Sequence, residues 1–237
     1  MSNSLQRRLA ALDWPAIADD LAEIGHARTG AFLSPGECGE LAALYDDDRR
    51  FRSTIDMARY RFGAGQYRYF DRPLPRLIHG LRGQLYRRLA PLANRMMRDL
   101  GKAERYPASL SAYLAHCRSR GQGKPTPLLL RYRAGGYNRL HRDLYGDEVF
   151  PLQAVCLLSR PGIDFTGGEF LLVEQQPRAQ SIGHAISPVQ GELLIFPVAE
   201  RPVAGSRGHF RAAMRHGVSR ILTGERLTLG LIFHDAA

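Results

Sequence analysis

The last 110 residues of the chain hold six short segments with the composition of β-strands, and no helical pattern separates them. The segments are residues 128–133, 152–159, 169–173, 192–196, 214–221 and 227–233. Turn sequences that contain glycine or proline lie between most of them. Short strands joined without helices favour a sandwich, a barrel or a jelly roll for this part of the chain.

The first half of the chain begins with helical patterns. Residues 4–24 predict a helix that is broken at the Trp-Pro pair 14–15. A second helix should begin after Ser34, which is a good N-cap. Pro35 suits the first helical position, and Glu37 completes a capping box with the N-cap serine.

A longer amphipathic helix should follow. Leucines recur every four residues, and the stripe then continues with other apolar residues: Leu77, Leu81, Leu85, Leu89, Leu92, Met96 and Leu100. We expect this helix to be kinked or divided at Pro91. Together the patterns predict an α+β fold in a single domain. Residues 1–127 should form a mainly helical extension that packs against a β core of residues 128–237.

The compartment is predicted from two features. No apolar run reaches the ~18 residues that a membrane-spanning helix needs. The three cysteines are scattered along the chain, with neither metal-ligand spacing nor a disulfide pattern. We therefore expect a cytoplasmic protein with no membrane partner, and the sequence predicts no oligomeric state.

The tetrapeptide of residues 141–144, His-Arg-Asp-Leu, matches the start of a protein-kinase catalytic loop. A kinase needs an asparagine five residues after the aspartate to hold magnesium, and that position is Glu148. Neither Lys102 nor Lys124 lies in a strand of the kinase type. Kinase chemistry is therefore excluded.

The same tetrapeptide contains a His-x-Asp pair, His141 and Asp143. Such a pair often arises by chance, so an ordinary surface or core histidine is an alternative. However, residues two apart on an extended chain share a face, and His216 lies on another predicted strand. Two histidines and one carboxylate form the ligand set of non-haem iron(II) oxygenases.

Arg226 follows His216 by ten residues, across a turn at residues 223–225. A hairpin of that length would place the arginine deeper in the same barrel. A buried guanidinium is costly without a planar carboxylate partner, which a 2-oxo diacid bound to iron would supply. Thr228 shares the face of Arg226 and could donate a further hydrogen bond.

Four stretches together resemble the iron(II)/2-oxoglutarate-dependent dioxygenases, in particular the prolyl-4-hydroxylase-like and AlkB-like branches. They are RYRAGGYNRLHRD, TGGEF, GELLIFP and RHGVSRILTGERLTLGLIF, within residues 128–234. The resemblance implies a double-stranded β-helix core with iron(II), 2-oxoglutarate and O₂. It also implies iron ligands at His141, Asp143 and His216, and a clamp for 2-oxoglutarate at Arg226. Tyr132 matches a tyrosine that often helps to bind 2-oxoglutarate, although it could equally be a packed aromatic residue.

Charge is concentrated in one segment of the chain. Residues 49–142 hold 20 Arg and two Lys against four acidic residues, which gives +18, whereas the whole chain has a net charge of +10. A GC-rich genome would explain arginine over lysine but not this concentration. Excess positive charge suits a polyanion, so nucleic acid is a candidate partner through a basic face beside the mouth of the iron pocket.

The stretch of residues 52–70 predicts a hairpin or lid in which aromatic residues alternate with arginines. Such a mixture suits base stacking and phosphate contacts, and residues 57–75 resemble the nucleotide-recognition lid of AlkB-like enzymes. The candidate substrate residues are Arg59, Arg61, Tyr67, Arg68 and Tyr69. The alternative is an ordinary strand pair with buried aromatic rings and exposed arginines.

Three functions are open at this point. The favoured one is oxidative demethylation of alkylated DNA or RNA, which agrees with the basic segment. A protein or peptide side-chain hydroxylase is supported by the ten-residue spacing of His216 and Arg226, because AlkB-like enzymes carry their two arginines well after the last histidine. A non-catalytic jelly-roll binding protein is the third, and the intact triad argues against it.

Overall fold

The computed structural model describes residues 2–144 and 146–237. Five α-helices lie in these ranges: α1 (Ser2–Ala10), α2 (Trp14–Glu23), α3 (Pro35–Ala43), α4 (Arg76–Asp99) and α5 (Leu110–Ser119). The predicted capping box is present, because the Ser34 side chain accepts from the Glu37 N–H and the Glu37 carboxylate accepts from the Ser34 N–H. None of the described helices is both long and apolar enough to cross a membrane.

Two antiparallel sheets form the β core. Their strands are β1 (Ala27–Ala31), β2 (Phe51–Asp56), β3 (Gly63–Ala64), β4 (Gln66–Phe70), β5 (Leu128–Arg133), β6 (Tyr137–His141), β7 (Leu152–Leu157), β8 (Phe165–Gly167), β9 (Phe170–Gln175), β10 (Ile182–Ile186), β11 (Glu192–Pro197), β12 (Glu200–Gly205), β13 (Gly208–Val218) and β14 (Ile221–Leu231). The major sheet has the order β1-β11-β7-β14-β5-β4-β2, with β8 paired to β14. The minor sheet has the order β10-β9-β13-β6-β3, with β12 paired to β13. This confirms the predicted α+β fold with a jelly-roll core.

The two faces of the major sheet have different roles, because successive side chains of a strand point to opposite faces. Leu129, Leu227 and Leu229 pack in one apolar cluster with the helices. Their neighbours Leu130, Arg226 and Thr228 line a cavity on the other face of the sheet. Because side chains alternate along β5 and β14, one face of the major sheet packs against the helices and the other face lines the cavity.

The long helix α4 covers the structural face of the major sheet. Its buried residues include Ile78, Leu81, Leu85 and Leu89, in agreement with most of the predicted stripe. The expected division at Pro91 did not occur, since α4 continues through Pro91 to Asp99. Pro91 itself is exposed. The packed leucines on the inner side hold the helix together despite the backbone hydrogen bond that a proline removes.

The predicted mainly helical extension also contributes strands to the β core before the boundary at residues 127/128. Strands β1, β2 and β4 precede it and belong to the major sheet, where β1 pairs with β11 and β4 pairs with β5. Segment 52–70 forms the predicted hairpin, in which β2 and β4 extend the major sheet and β3 pairs with β6 of the minor sheet. Short edge strands and helix α5 were missed because their sequences have weak periodicity.

Candidate active site

His141, Asp143 and His216 converge at one end of the minor sheet. His141 ends strand β6, His216 lies in β13, and the two are Cα partners in the antiparallel pairing. The Nε2 atoms of His141 and His216 lie 3.4 Å and 3.2 Å from the two carboxylate oxygens of Asp143. One ligand atom from each of the three residues lies within 4.8 Å of the other two. The predicted triad is therefore assembled in space.

Hydrogen bonds and packing orient the two imidazole rings. Nδ1 of His141 lies 2.7 Å from the Arg139 carbonyl oxygen, to which it donates, so Nε2 is left as the electron-pair donor. The ring of His216 stacks on Phe170, with centroids 5.8 Å apart and planes 11° apart. Gln153 Nε2 approaches His216 Nε2 at 3.4 Å. Each ring is therefore held in place by surroundings other than the triad itself.

The pKa shifts of His216 and Asp143 favour the protonation states that a metal site needs. Burial lowers the pKa of His216, which favours the neutral imidazole that a metal requires. Burial alone would raise the pKa of Asp143, but the two histidines outweigh it and hold that pKa well below its usual range. Burial alone would lower the pKa of His141, but the hydrogen bond and the charge of Asp143 outweigh burial, so the pKa is raised. Two imidazoles and one carboxylate in this arrangement fit an iron(II) ion with open coordination positions.

Arg226 is a fully enclosed cation, with only 1% of its surface exposed. No hydrogen bond or ion pair from its guanidinium to any residue in the described ranges is present, and its Nε is buried without a partner. Burial lowers the pKa of Arg226 to about 10, against the opposing influence of Tyr132 and Glu169. A buried guanidinium in this condition is costly unless an anion completes the site. The carboxylate of 2-oxoglutarate fits this requirement.

A single cavity of ≈ 350 Å³ joins the triad to Arg226. Tyr132 and Thr228 also line it, and both are buried. Tyr132 is the Cα partner of Arg226 across β5 and β14, and burial raises the pKa of its phenol. The volume is at the lower end of the range typical for small-molecule sites. All six residues predicted for metal and co-substrate binding therefore lie on one cavity.

The mouth of the cavity carries cationic and aromatic side chains. Arg61, Arg139 and Arg142 line it and are exposed. Phe62 also lines it, is 46% exposed and stacks on Tyr60, which is 50% exposed, with centroids 5.7 Å apart. These residues occupy the hairpin tip before β4 and the end of β6. Nothing in the sequence indicated that Arg139 and Arg142 line the cavity, whereas Phe62 belongs to the predicted hairpin of aromatic residues and arginines.

The candidate substrate residues divide between the two faces of β4. Tyr67 lines the cavity, whereas Arg68 is on the other face and is buried. The Arg68 guanidinium donates to the Tyr45 carbonyl and to Asp48, so the prediction that it contacts substrate is wrong. Because successive side chains of a strand point to opposite faces, the Arg68 side chain points away from the cavity that Tyr67 lines.

Two other candidate residues also lie away from the cavity wall. Tyr69 is 8% exposed and packs with Leu128 and Ile232, beneath the guanidinium of Arg52. Arg59 is exposed near the hairpin tip but does not line the cavity. Of the predicted substrate residues, only Arg61 and Tyr67 are therefore placed for direct contact with a bound molecule.

The basic segment does not form one face beside the mouth. Its exposed arginines on α4 lie on the helix-covered side of the major sheet, across the sheet from the cavity: Arg76, Arg87, Arg88, Arg95 and Arg98. The charge was concentrated in sequence, but α4 and the hairpin tip occupy opposite sides of the sheet. The positive charge therefore forms at least two separate groups.

Comparisons with known proteins agree with this geometry. A family model, Oxygenase-NA, matches residues 65–236, and its description reads "Oxygenase, catalysing oxidative methylation of damaged DNA". An uncharacterized protein of Mycobacterium tuberculosis is 50% identical over 168 residues, which cover 71% of this chain and 72% of the relative.

Solved structures show a similar fold. A 2OG-Fe(II) oxygenase family oxidoreductase from Burkholderia pseudomallei has a TM-score of 0.56 at 15% identity, over 94% of this chain and 92% of its own. A Pseudomonas putida prolyl-4-hydroxylase has a TM-score of 0.50 at 21% identity, over 92% and 96%. These likenesses support the jelly-roll architecture of the dioxygenases.

Proposed function

The chain belongs to the Oxygenase-NA family of oxygenases, and from that premise we propose that it is an iron(II)- and 2-oxoglutarate-dependent dioxygenase of alkylated nucleic acid. The observation that carries the cofactor assignment is the cavity that joins a His-Asp-His cluster to a buried, unpaired arginine. The His-Asp-His cluster offers the ligands that an iron ion needs, and the buried arginine offers the cation that a dicarboxylate needs.

In this proposal, His141, Asp143 and His216 hold the iron. Paired strands fix both histidines, so the ligand atoms are close together before an ion arrives. The Arg139 carbonyl keeps the Nε2 atom of His141 unprotonated and directed at the metal. The depressed pKa of Asp143 keeps its carboxylate ionised.

Arg226 binds the far carboxylate of 2-oxoglutarate, and Thr228 and Tyr132 complete that end of the cavity. When bound, iron, 2-oxoglutarate and O₂ supply one oxygen atom to a C–H bond while 2-oxoglutarate is converted to succinate and CO₂. The chain's own residues position the co-substrate and exclude water from the Arg226 end, where the surroundings are buried.

The favoured substrate is an alkylated base of DNA or RNA. The family description names damaged DNA, and the cavity mouth combines three exposed arginines with an exposed aromatic pair. Phosphates would contact the arginines, while Phe62 offers a surface on which a base can stack. An N-methyl group oxidised at its carbon would then be lost as formaldehyde.

A protein or peptide side-chain hydroxylase is the second candidate. Two observations favour it: the ten-residue spacing of His216 and Arg226 on β13 and β14, and the division of the basic segment between two sides of the molecule. Both candidates use the same iron and 2-oxoglutarate sites, so only the substrate distinguishes them.

The test is mass spectrometry of products from two panels, oligonucleotides with N-methylated bases and peptides with proline and other side chains. The proposal expects loss of methyl groups from the oligonucleotides that depends on iron(II) and 2-oxoglutarate. Hydroxylated peptides together with unchanged oligonucleotides would establish the second candidate instead.

A further inference from the structure

A second basic site lies on the opposite side of the major sheet from the active site. It is a groove of ≈ 1040 Å³ between helices α4 and α5 and the segment that precedes α4. Cationic side chains and one histidine line this groove: Arg72, Arg76, His79, Arg82, Arg87 and Arg118. None of its lining residues is acidic. We call it the α4–α5 groove.

The arginines of the α4–α5 groove differ in their pairing. Arg82 is buried and shares Asp235 with Arg72, at 2.9 Å and 2.5 Å, so these two are partly neutralised and help to hold the groove wall. Arg76, Arg87 and Arg118 are exposed and make no hydrogen bond or ion pair through their side chains to any residue that the structure describes. Three exposed cations around one concavity produce a field that attracts a polyanion, and Arg76 also borders a neighbouring cavity that Glu37 and Glu40 line.

The floor of the groove leaves room for a ligand. Gly83 lies on α4 between Arg76 and Arg87, at helical spacing from both, and a Cβ at that position would meet nothing within 4 Å. A glycine inside a helix costs roughly 1 kcal/mol relative to alanine, and no packing contact requires one here. The small residue therefore keeps the groove open between the two cations.

The length of the groove suits a nucleic-acid backbone. Arg76 and Arg87 are eleven residues apart, which corresponds to about 16 Å along a helix at about 1.5 Å per residue. A B-form strand spans that distance in about five phosphates, at about 3.4 Å each. The first turns of α4 and α5 contain no acidic residue that would oppose an anion.

We propose that the α4–α5 groove is a second nucleic-acid site, which binds the phosphodiester backbone away from the base that occupies the active site. This rests on the proposed nucleic-acid function. The two sites meet at Ile232, whose side chain lines the cavity while its carbonyl accepts a hydrogen bond of 2.8 Å from Arg82. This contact is buried, so a strand that leaves the mouth reaches the groove by passing around the edge of the sheet.

The strand must be long enough to reach both sites. A compact chain of this size has a radius of gyration of about 18 Å, and a strand of about 30 nucleotides at about 3.4 Å each extends roughly 100 Å. Such a strand can engage both sites, whereas a trinucleotide fills only the cavity. Binding by the groove should therefore appear with the long strand and be absent with the trinucleotide.

The experiment compares two triple variants of the full chain by fluorescence anisotropy over a series of salt concentrations. The groove variant carries Arg76→Gln, Arg87→Gln and Arg118→Gln. The matched control carries Arg88→Gln, Arg95→Gln and Arg98→Gln, which remove the same charge from exposed α4 positions outside the groove. Circular dichroism melting verifies that both variants are folded.

For the long strand, the groove variant should bind roughly tenfold or more weakly than the control. Its log–log salt slope should be shallower by about two units, since each lost phosphate contact on a single strand contributes about 0.7. Trinucleotide turnover should be the same in both variants. Equal affinities of the two variants for the long strand would overturn the inference, and so would a wild-type protein that does not bind the strand.

Poly-glutamate binding, measured with the same variants, tests whether an acidic protein segment occupies the groove instead. If the groove variant loses poly-glutamate binding but keeps strand binding, the groove takes an acidic protein and the proposal is wrong. Failure of the proposed substrate has a different outcome, in which the groove variant still binds strands weakly but no methylated base is oxidised by the wild type. The two failures are therefore distinguishable.

Discussion

His141 and His216 face each other as directly paired residues of antiparallel strands β6 and β13, with ring centroids 4.2 Å apart. Asp143 lies two residues beyond the end of β6, so the third candidate ligand depends on the same strand for its position. Sites supported by paired strands hold their geometry better than sites carried by loops alone. The proposed metal site is therefore largely formed by the fold before a metal binds.

Replacement of Arg226 by lysine should weaken 2-oxoglutarate binding at least ~10-fold, because an ammonium cannot reproduce the two parallel hydrogen bonds of a guanidinium. Calorimetric titration of the metal-loaded protein under nitrogen measures this affinity. Arg220→Lys is the matched control, since Arg220 is exposed, donates to the Gly135 carbonyl and lies over the Tyr137 ring, outside the cavity lining. An affinity that is the same in both variants would refute the assigned role of Arg226.

Removal of the Phe62 ring should weaken binding of a methylated oligonucleotide by about 1–3 kcal/mol if a base stacks on it. Phe62 is 46% exposed, so Phe62→Ala should leave thermal stability nearly unchanged. Anisotropy titration gives the affinity, and Ile163→Ala, at a 73% exposed apolar residue outside the cavity lining, is the control. Identical affinities for the two variants would show that no base stacks on Phe62.

Arg61 and Arg68 should behave differently although they are seven positions apart in one hairpin. Arg61→Gln should reduce the salt slope of oligonucleotide binding by about one unit, as expected for one lost phosphate contact. Arg68→Gln should leave that slope unchanged but reduce the free energy of unfolding by about 1–3 kcal/mol, because a buried acceptor loses its donor. Urea unfolding and salt titration of both variants measure these effects. A stability loss in Arg61→Gln together with a reduced salt slope in Arg68→Gln would contradict the assignment.

The ion pair of Arg8 and Glu37 should make stability depend on pH. Its hydrogen bonds of 2.7 and 2.8 Å lower the pKa of Glu37 from 4.5 to about 2. The unfolded chain then binds more protons between these values, so the contribution is complete above 4.5 and is lost as pH falls toward 2.

Glu37→Gln should therefore destabilise the protein at neutral pH, and the gap to wild type should narrow in acid. Urea unfolding at a series of pH values measures it, with Glu40→Gln on the exposed side of the same helix as the control. A gap that is independent of pH would contradict the assignment of this ion pair.

Local pattern predicted the site better than it predicted the sheet. His141 and Asp143 are two residues apart, and Arg226 is ten residues beyond His216 across one turn, so strand parity is enough to bring these groups together. Contacts between residues that are far apart in the sequence could not be predicted from local pattern. For example, Arg82 on α4 donates to the Ile232 carbonyl, and nothing near Arg82 in sequence indicates this partner.

The error at Arg68 has a similar origin. Alternation in β4 showed that Tyr67 and Arg68 point in opposite directions, but it did not show which direction faces the cavity. That choice is fixed by the pairing of β4 with β5, in which Tyr67 is the partner of Leu130. The same dependence on pairing explains why charge concentrated in one segment of the sequence did not predict one basic face.

The most direct test of the central claim is the release of succinate and formaldehyde from one reaction that contains a methylated oligonucleotide, iron(II), 2-oxoglutarate and O₂. The wild-type protein should produce the two in equal amounts, and the oligonucleotide should lose one methyl group for each succinate formed. Asp143→Ala should produce neither, because the carboxylate ligand is gone. Succinate that forms with a peptide substrate but not with any methylated oligonucleotide would contradict the claim.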